Sequence, residues 1–203
     1  HTLAAPCRSL LTLASVIGRD FDLETLAQVS NTSRENLLYT LESAVGTHII
    51  TPNPQTVGSY CFTHALIHDM LYPDLPTAER VRLHRRVGEL LQERYRLPDA
   101  SITGRLPAHI LAALAHHFYE AARGGDVNEQ AISYAVQAGQ HATAMLAYEE
   151  ATAHYTRALA LMAPLHPTDA QQQSRLLIAL GHAQAQAGEI PQARETLLRA
   201  AEV

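Results

Sequence analysis

The sequence predicts a mostly α-helical chain in two parts. The first is a small domain of three helices and a β-hairpin, and the second is a stack of helical pairs. Three observations lead there. Apolar residues recur at helical spacing over most of the length, in runs separated by glycine and proline. The period changes once, where two β-prone runs flank a turn-rich connection. Beyond residue 107, a pattern of small and large residues recurs at a fixed distance. The 203 residues, 47% apolar and 17% charged, suffice for one large domain or two small ones with buried cores.

The elements follow in order. Leu10, Leu11, Leu13, Ala14 and Ile17 predict a first helix, ended by Gly18. Asp22 is the expected N-cap of a second, which carries Leu23, Leu26, Ala27 and Val29. Ser33 is the expected N-cap of a third, with Leu37, Leu38, Leu41 and Val45 on its apolar stripe and Gly46 as its stop. His48 to Thr51 and Ser59 to Phe62 read as strands around the turn-rich stretch from Pro52 to Gly58. Three helices and a small hairpin are the layout of a winged helix, expected over residues 1–75. Residues 76–106 read as a linking helix and a loop. The helix starts near Pro76 with a stripe of Val81, Leu83, Val87, Leu90 and Leu91, and the loop covers Leu97 to Pro107. Helices are then expected over 107–123, 127–145, 148–163, 170–187 and 190–203, punctuated by Gly124-Gly125, Pro164 with Pro167, and Gly188.

The last stretch repeats itself. Gly139 precedes Ala151, Tyr155 and Ala158 by the same offsets at which Gly181 precedes Ala193, Leu197 and Ala200. Ala135 and Ala138 stand before the first glycine as Leu177 and Leu180 stand before the second. Small residues at such places let two antiparallel helices approach closely, with Tyr155 and Leu197 filling the space beside them. This resembles the tetratricopeptide repeat, although the period here is 42 residues (181 − 139) against roughly 34. A weaker earlier unit would use His116, Ala131, Ala135 and Ala138. The plainer alternative is an alanine-rich helical bundle.

Composition narrows the chemistry. The net charge is −5, so there is no broad basic field for nucleic acid. All 15 basic residues are arginine. Without lysine, the chain can form neither a Schiff base with a pyridoxal cofactor nor a G-x-x-x-x-G-K-[ST] nucleotide loop. Two cysteines, Cys7 and Cys61, make neither a disulfide framework nor a four-ligand zinc site, and a reduced, cytoplasmic setting is expected. No apolar run approaches the ~18 residues of a membrane span, and there is no signal peptide, so no membrane partner is expected. The start at His1 and the helical pattern running to Val203 suggest a fragment of a longer polypeptide.

The stretch from Tyr60 to Tyr72 carries the strongest functional hint. A β-prone run passes directly into an amphipathic helix with His64 at its start. Helix N-termini expose unpaired N–H groups and partial positive charge, to which a histidine adds a donor for an anion such as phosphate. Phe62-x-His64-x-Leu66, then Tyr72, then Arg80-x-x-Leu83-His84-x-x-Val87 and Leu90-Leu91 resemble the winged-helix end of STAND regulators. These are signal-transduction ATPases that place a nucleotide-binding module before a winged helix and repeats after it. Ala65 stands where plant resistance-type relatives have aspartate, so the resemblance is to the bacterial regulator branch. It implies that His64 approaches the β-phosphate of ADP bound by the upstream module and helps hold the closed form. ADP or ATP would be the nucleotide of the intact parent, with no cofactor in this chain itself. The alternative role for His64 is helix capping or packing.

Other candidates are weaker. His64 and His68 share a helical face at a zinc-compatible spacing, but Ala65 stands where a glutamate base would be and no third ligand is apparent, so no metal site is expected. His116 and His117 are adjacent and point to different faces. A DNA-binding reading would put the third helix in the major groove with Arg34, Asn36 and Thr40. Glu35 and Glu42 oppose it, and the wing from Pro52 to Gly58 carries no basic residue, so direct nucleic-acid binding is disfavoured. Arg80, Arg82, Arg85 and Arg86 spread around a helix beside Glu79 and Glu89, as a solvated face or a contact for an acidic neighbour would. Glu149 and Glu150 read as solvated repeat surface, and no catalytic set is visible. The expected function is therefore non-catalytic. The winged helix would restrain the nucleotide-binding module of the same polypeptide, and the repeats would take a protein or small-molecule inducer. A free-standing repeat scaffold and a DNA-binding winged helix are the alternatives.

Overall fold

The computed structural model describes residues 4–95, 106–125, 129–166 and 169–203. The chain is mostly helical with one small antiparallel sheet. It divides into two compact units, residues 1–90 and 91–203. Among the described residues, no helix is long and apolar enough to cross a membrane.

In the first unit, Pro6 opens α1 (Ala5–Ile17), which buries Cys7, Leu10, Leu11 and Ala14. Gly18 ends it at φ 144°, a backbone that a Cβ would strain, and its N–H returns to the Ala14 carbonyl. A strand follows at once: β1 (Asp20–Asp22). Asp22 then caps α2 (Leu23–Ser30) by accepting from the Thr25 N–H at 2.8 Å. Ser33 caps α3 (Arg34–Gly46) through the Asn36 N–H. Strands β2 (Ile50–Pro52) and β3 (Ser59–Phe62) complete a sheet of order β1-β3-β2. Ile50 pairs with Phe62, and both are fully buried beneath Leu11, Leu26, Leu37 and Leu41. Phe62 leads through His64 into α4 (Ala65–Leu71), a single 3-10 turn at Tyr72–Asp74, and α5 (Thr77–Arg94), which Pro76 precedes.

Four sequence expectations change here. The sheet has three strands rather than two, because β1 offers only Phe21 between two aspartates and shows no period to read. His48 sits at φ 55°, so β2 begins later, at Ile50, and runs on through Pro52. Helix α3 continues through Gly46, where the backbone is ordinary. Leu38 is exposed, and Ala44 joins Leu37 and Leu41 in the core instead.

The second unit contains α6 (Ala108–Ala122), α7 (Glu129–Ala144), α8 (Tyr148–Leu165), α9 (Ala170–Gln186) and α10 (Ile190–Glu202). Pro164 lies inside the last turn of α8 rather than ending it, a position where the missing N–H forfeits a single helical bond. The expected loop from Leu97 to Pro107 lies largely outside the described residues. The pairs α7–α8 and α9–α10 are built alike. A Cβ on Gly139 would stand 2.7 Å from the Tyr155 ring, and one on Gly181 would stand 2.6 Å from Leu197 Cγ. The turns match bond for bond. Ala147 N–H donates to the Ala142 carbonyl as Glu189 N–H donates to Gln184, both at 2.9 Å. Met145 N–H reaches the His141 carbonyl as Ala187 N–H reaches Ala183. The left-handed residue of this capping motif is Leu146 (φ 60°) in one turn and Gly188 (φ 84°) in the other. The earlier unit does not share this register, since His116 is exposed where the pairs bury a glycine.

Two positions of the α7–α8 pair therefore respond oppositely to substitution. Gly139→Val should lower unfolding stability by about 1–3 kcal/mol, because overpacking against Tyr155 outweighs any gain in helix propensity. Leu146→Gly should raise stability by up to ~1 kcal/mol by removing left-handed strain, less the extra entropy of the unfolded chain. Urea unfolding followed by circular dichroism checks both. A stable G139V variant would contradict the close approach.

Candidate functional site

The junction between β3 and α4 is built from both ends. Phe62 anchors it in the core, its N–H donating to the Arg19 carbonyl at 3.0 Å, and Thr63 N–H donates to the Ile49 carbonyl at 3.0 Å. His64 then takes an extended N-cap conformation (φ −129°, ψ 133°), and its carbonyl accepts from the Ile67 N–H. The His64 ring is exposed and caps nothing. Leu66 and Met70, one turn apart, are also exposed on α4, while Leu71 faces inward and is buried.

Phe62, Tyr72, Arg80 and His84 are connected in space, with His68 as the link. The His68 ring stands edge-on to Phe62 at 5.8 Å between centroids and stacks on Tyr72 at 6.2 Å. The Tyr72 hydroxyl lies 2.8 Å from Nε2 of His84, which is fully buried, and the Arg80 guanidinium sits 5.2 Å above the Tyr72 ring. His68 is tied on both sides, with Nε2 donating to the Ser15 carbonyl at 2.8 Å and Nδ1 lying 3.0 Å from Asp69. The helical spacing of His64 and His68 therefore serves packing: one ring braces α1 and the other faces solvent.

The remaining basic cluster is occupied locally. Arg82 pairs with Glu79, and Arg86 approaches Glu89 at 4.0 Å. On α3, Arg34 and Asn36 are exposed beside the equally exposed Glu35 and Glu42, and the Thr40 hydroxyl donates back to the Asn36 carbonyl.

A second site lies in the helical pairs, and sequence reasoning did not find it. A cavity of about 210 Å³ opens among α6, α7 and α8. Its floor is apolar, with Leu111, Ala138 and Ala142 buried, and His109, His141, Glu150 and His154 supply polar groups. His154 is only 5% exposed, and its Nδ1 is buried without a hydrogen-bond partner among the described residues. Its Nε2 lies 4.0 Å from Glu150 Oε1, beyond hydrogen-bond reach. Burial pushes the His154 imidazole below its ordinary value and Arg157 acts in the same direction, while Glu150 opposes them. No family model, curated protein or solved structure matches the chain. The one available signal was the Glu150–His154 spacing of one helical turn, which is indistinguishable in sequence from a solvated helix face.

The depressed His154 value has a consequence for stability. The unfolded chain takes up a proton at this ring near the ordinary value of 6.5, which the folded chain resists. The contribution is fully present above that pH and is lost as the pH falls through it. His154→Gln should therefore flatten the decline in stability between about pH 7.5 and pH 5.5. Urea midpoints across that range check this, and an unchanged slope would contradict it.

Proposed function

We propose that this chain is a non-catalytic regulatory and interaction segment of a STAND-type ATPase. Its first unit would restrain an upstream nucleotide-binding module, and its helical pairs would take a partner or inducer. The observation that carries the reading is the register-identical packing of Gly139 on Tyr155 and Gly181 on Leu197, the close approach on which a tetratricopeptide-like array depends. The order α1–β1–α2–α3–β2–β3, with β3 central, supports a winged helix in the first unit. The exposed, uncapping ring of His64 supports a sensing role, because nothing within α4 claims it. Binding at the pairs would favour the open form through its differential affinity for two states. The lack of lysine means that the nucleotide loop must come from another segment, which keeps a free-standing repeat scaffold as the second reading.

The coding DNA upstream of His1 is the first thing to read, for a G-x-x-x-x-G-K-[ST] loop after a β-prone run. In the polypeptide that carries such a loop, His64→Ala should release ADP about tenfold faster, the loss of roughly one charge-assisted hydrogen bond. Basal output should rise, with thermal stability unchanged. Unaltered ADP release would remove the sensing role, and the absence of a loop would favour the scaffold.

A further inference from the structure

We propose that the cavity among α6, α7 and α8 binds an alkylammonium group, its carbon chain on the alanine-rich floor and its charged head between Glu150 and His154. The proposal rests on the reading of the helical pairs as the part that takes a ligand, and it names the chemistry of that ligand. Size comes first. At about 210 Å³ the cavity falls below the ~300–1,000 Å³ of sites for drug-sized ligands, so the occupant is a group of a few carbons. The floor offers methyl groups of Leu111, Ala138 and Ala142 and demands an apolar body.

The head group follows from the polar atoms. Among the described residues that line the cavity, Glu150 is the only fixed charge and none is an arginine. A carboxylate ligand would meet that charge as repulsion, and a cation as attraction. Nε2 of the nearly buried His154 ring stands 4.0 Å from the Glu150 carboxylate. A gap of that width between an imidazole and a carboxylate suits a group with several donors. An ammonium has three donors and no acceptor, so it satisfies the carboxylate while bonding the neutral ring. None of the given residues is a lysine, so none of them supplies an ammonium side chain. The alkylammonium comes from outside, as a free small amine or as the lysine side chain of a partner.

Titration calorimetry on the full chain at neutral pH tests this with n-pentylammonium, pentanoate, 1-pentanol and lysine blocked at both its amino and carboxyl ends. Pentylammonium should bind saturably at about millimolar affinity, as its few heavy atoms allow, and at least tenfold tighter than pentanoate or pentanol. Glu150→Gln should weaken it at least tenfold and His154→Gln several-fold, while Glu149→Gln should leave it unchanged. Glu150 is exposed, so its variant keeps the fold, which circular dichroism verifies. Blocked lysine binding as well as pentylammonium assigns a partner's side chain as the source, and binding of the free amine alone assigns a small molecule. Equal binding of pentanol, indifference to Glu150→Gln, or no binding of either amine overturns the proposal. Failure here beside faster ADP release in His64→Ala would remove the pocket and leave the regulatory reading standing.

Discussion

The second unit depends on one steric constraint: at two places, helices approach so closely that no side chain fits between them. Gly139 faces the Tyr155 ring and Gly181 faces Leu197, each at a distance that a Cβ would violate. Everything around these contacts is arranged to keep it so. Ala151 and Ala158, then Ala193 and Ala200, are buried beside the large side chain, since anything bulkier would push the helices apart. The three-residue turns are set by the same need. Both end their helix with a left-handed residue and the same capping bonds, which returns the chain at the angle that brings glycine and large residue together.

The first unit is organised around Phe62 instead. This residue closes the central strand, pairs with Ile50, and contacts the rings of Phe21 and His68. From it runs a line of aromatic and imidazole contacts through Tyr72 to His84. That line explains why histidines are so frequent here without forming a reactive set. Histidine has a flat ring for stacking and two nitrogens for polar groups, so His68 and His84 brace helices that leucine would leave with unsatisfied carbonyls or hydroxyls. His64 differs only in where its backbone puts it. The extended N-cap conformation leaves its ring exposed and without a capping bond.

The two candidate sites thus rest on opposite kinds of histidine. His64 is exposed and unengaged by its own helix, so its use requires something brought to it. His154 is buried, with Nε2 beside the lining carboxylate of Glu150. The cavity beside it is the kind of place where a small ligand can bias a helical stack, because groups from three successive helices line it.

By itself, the sequence determined the local structure and the repeat. Asp22 and Ser33 were legible as caps because their side chains act within three residues, and both make the expected bonds. The 42-residue register was legible because close packing admits only small residues, which leaves a mark at every repeat. Tertiary structure decided what depends on residues distant in sequence. Strand β1 exists only because β3 offers it a partner, and its three residues carry no period of their own. Leu38 and Ala44 exchanged places because the inward side of α3 is set by what packs on it, not by its most apolar residues. The fate of each histidine followed the same rule. His68 was bound by a carbonyl 53 residues away, and His154 was buried among helices whose proximity no spacing in the chain announces.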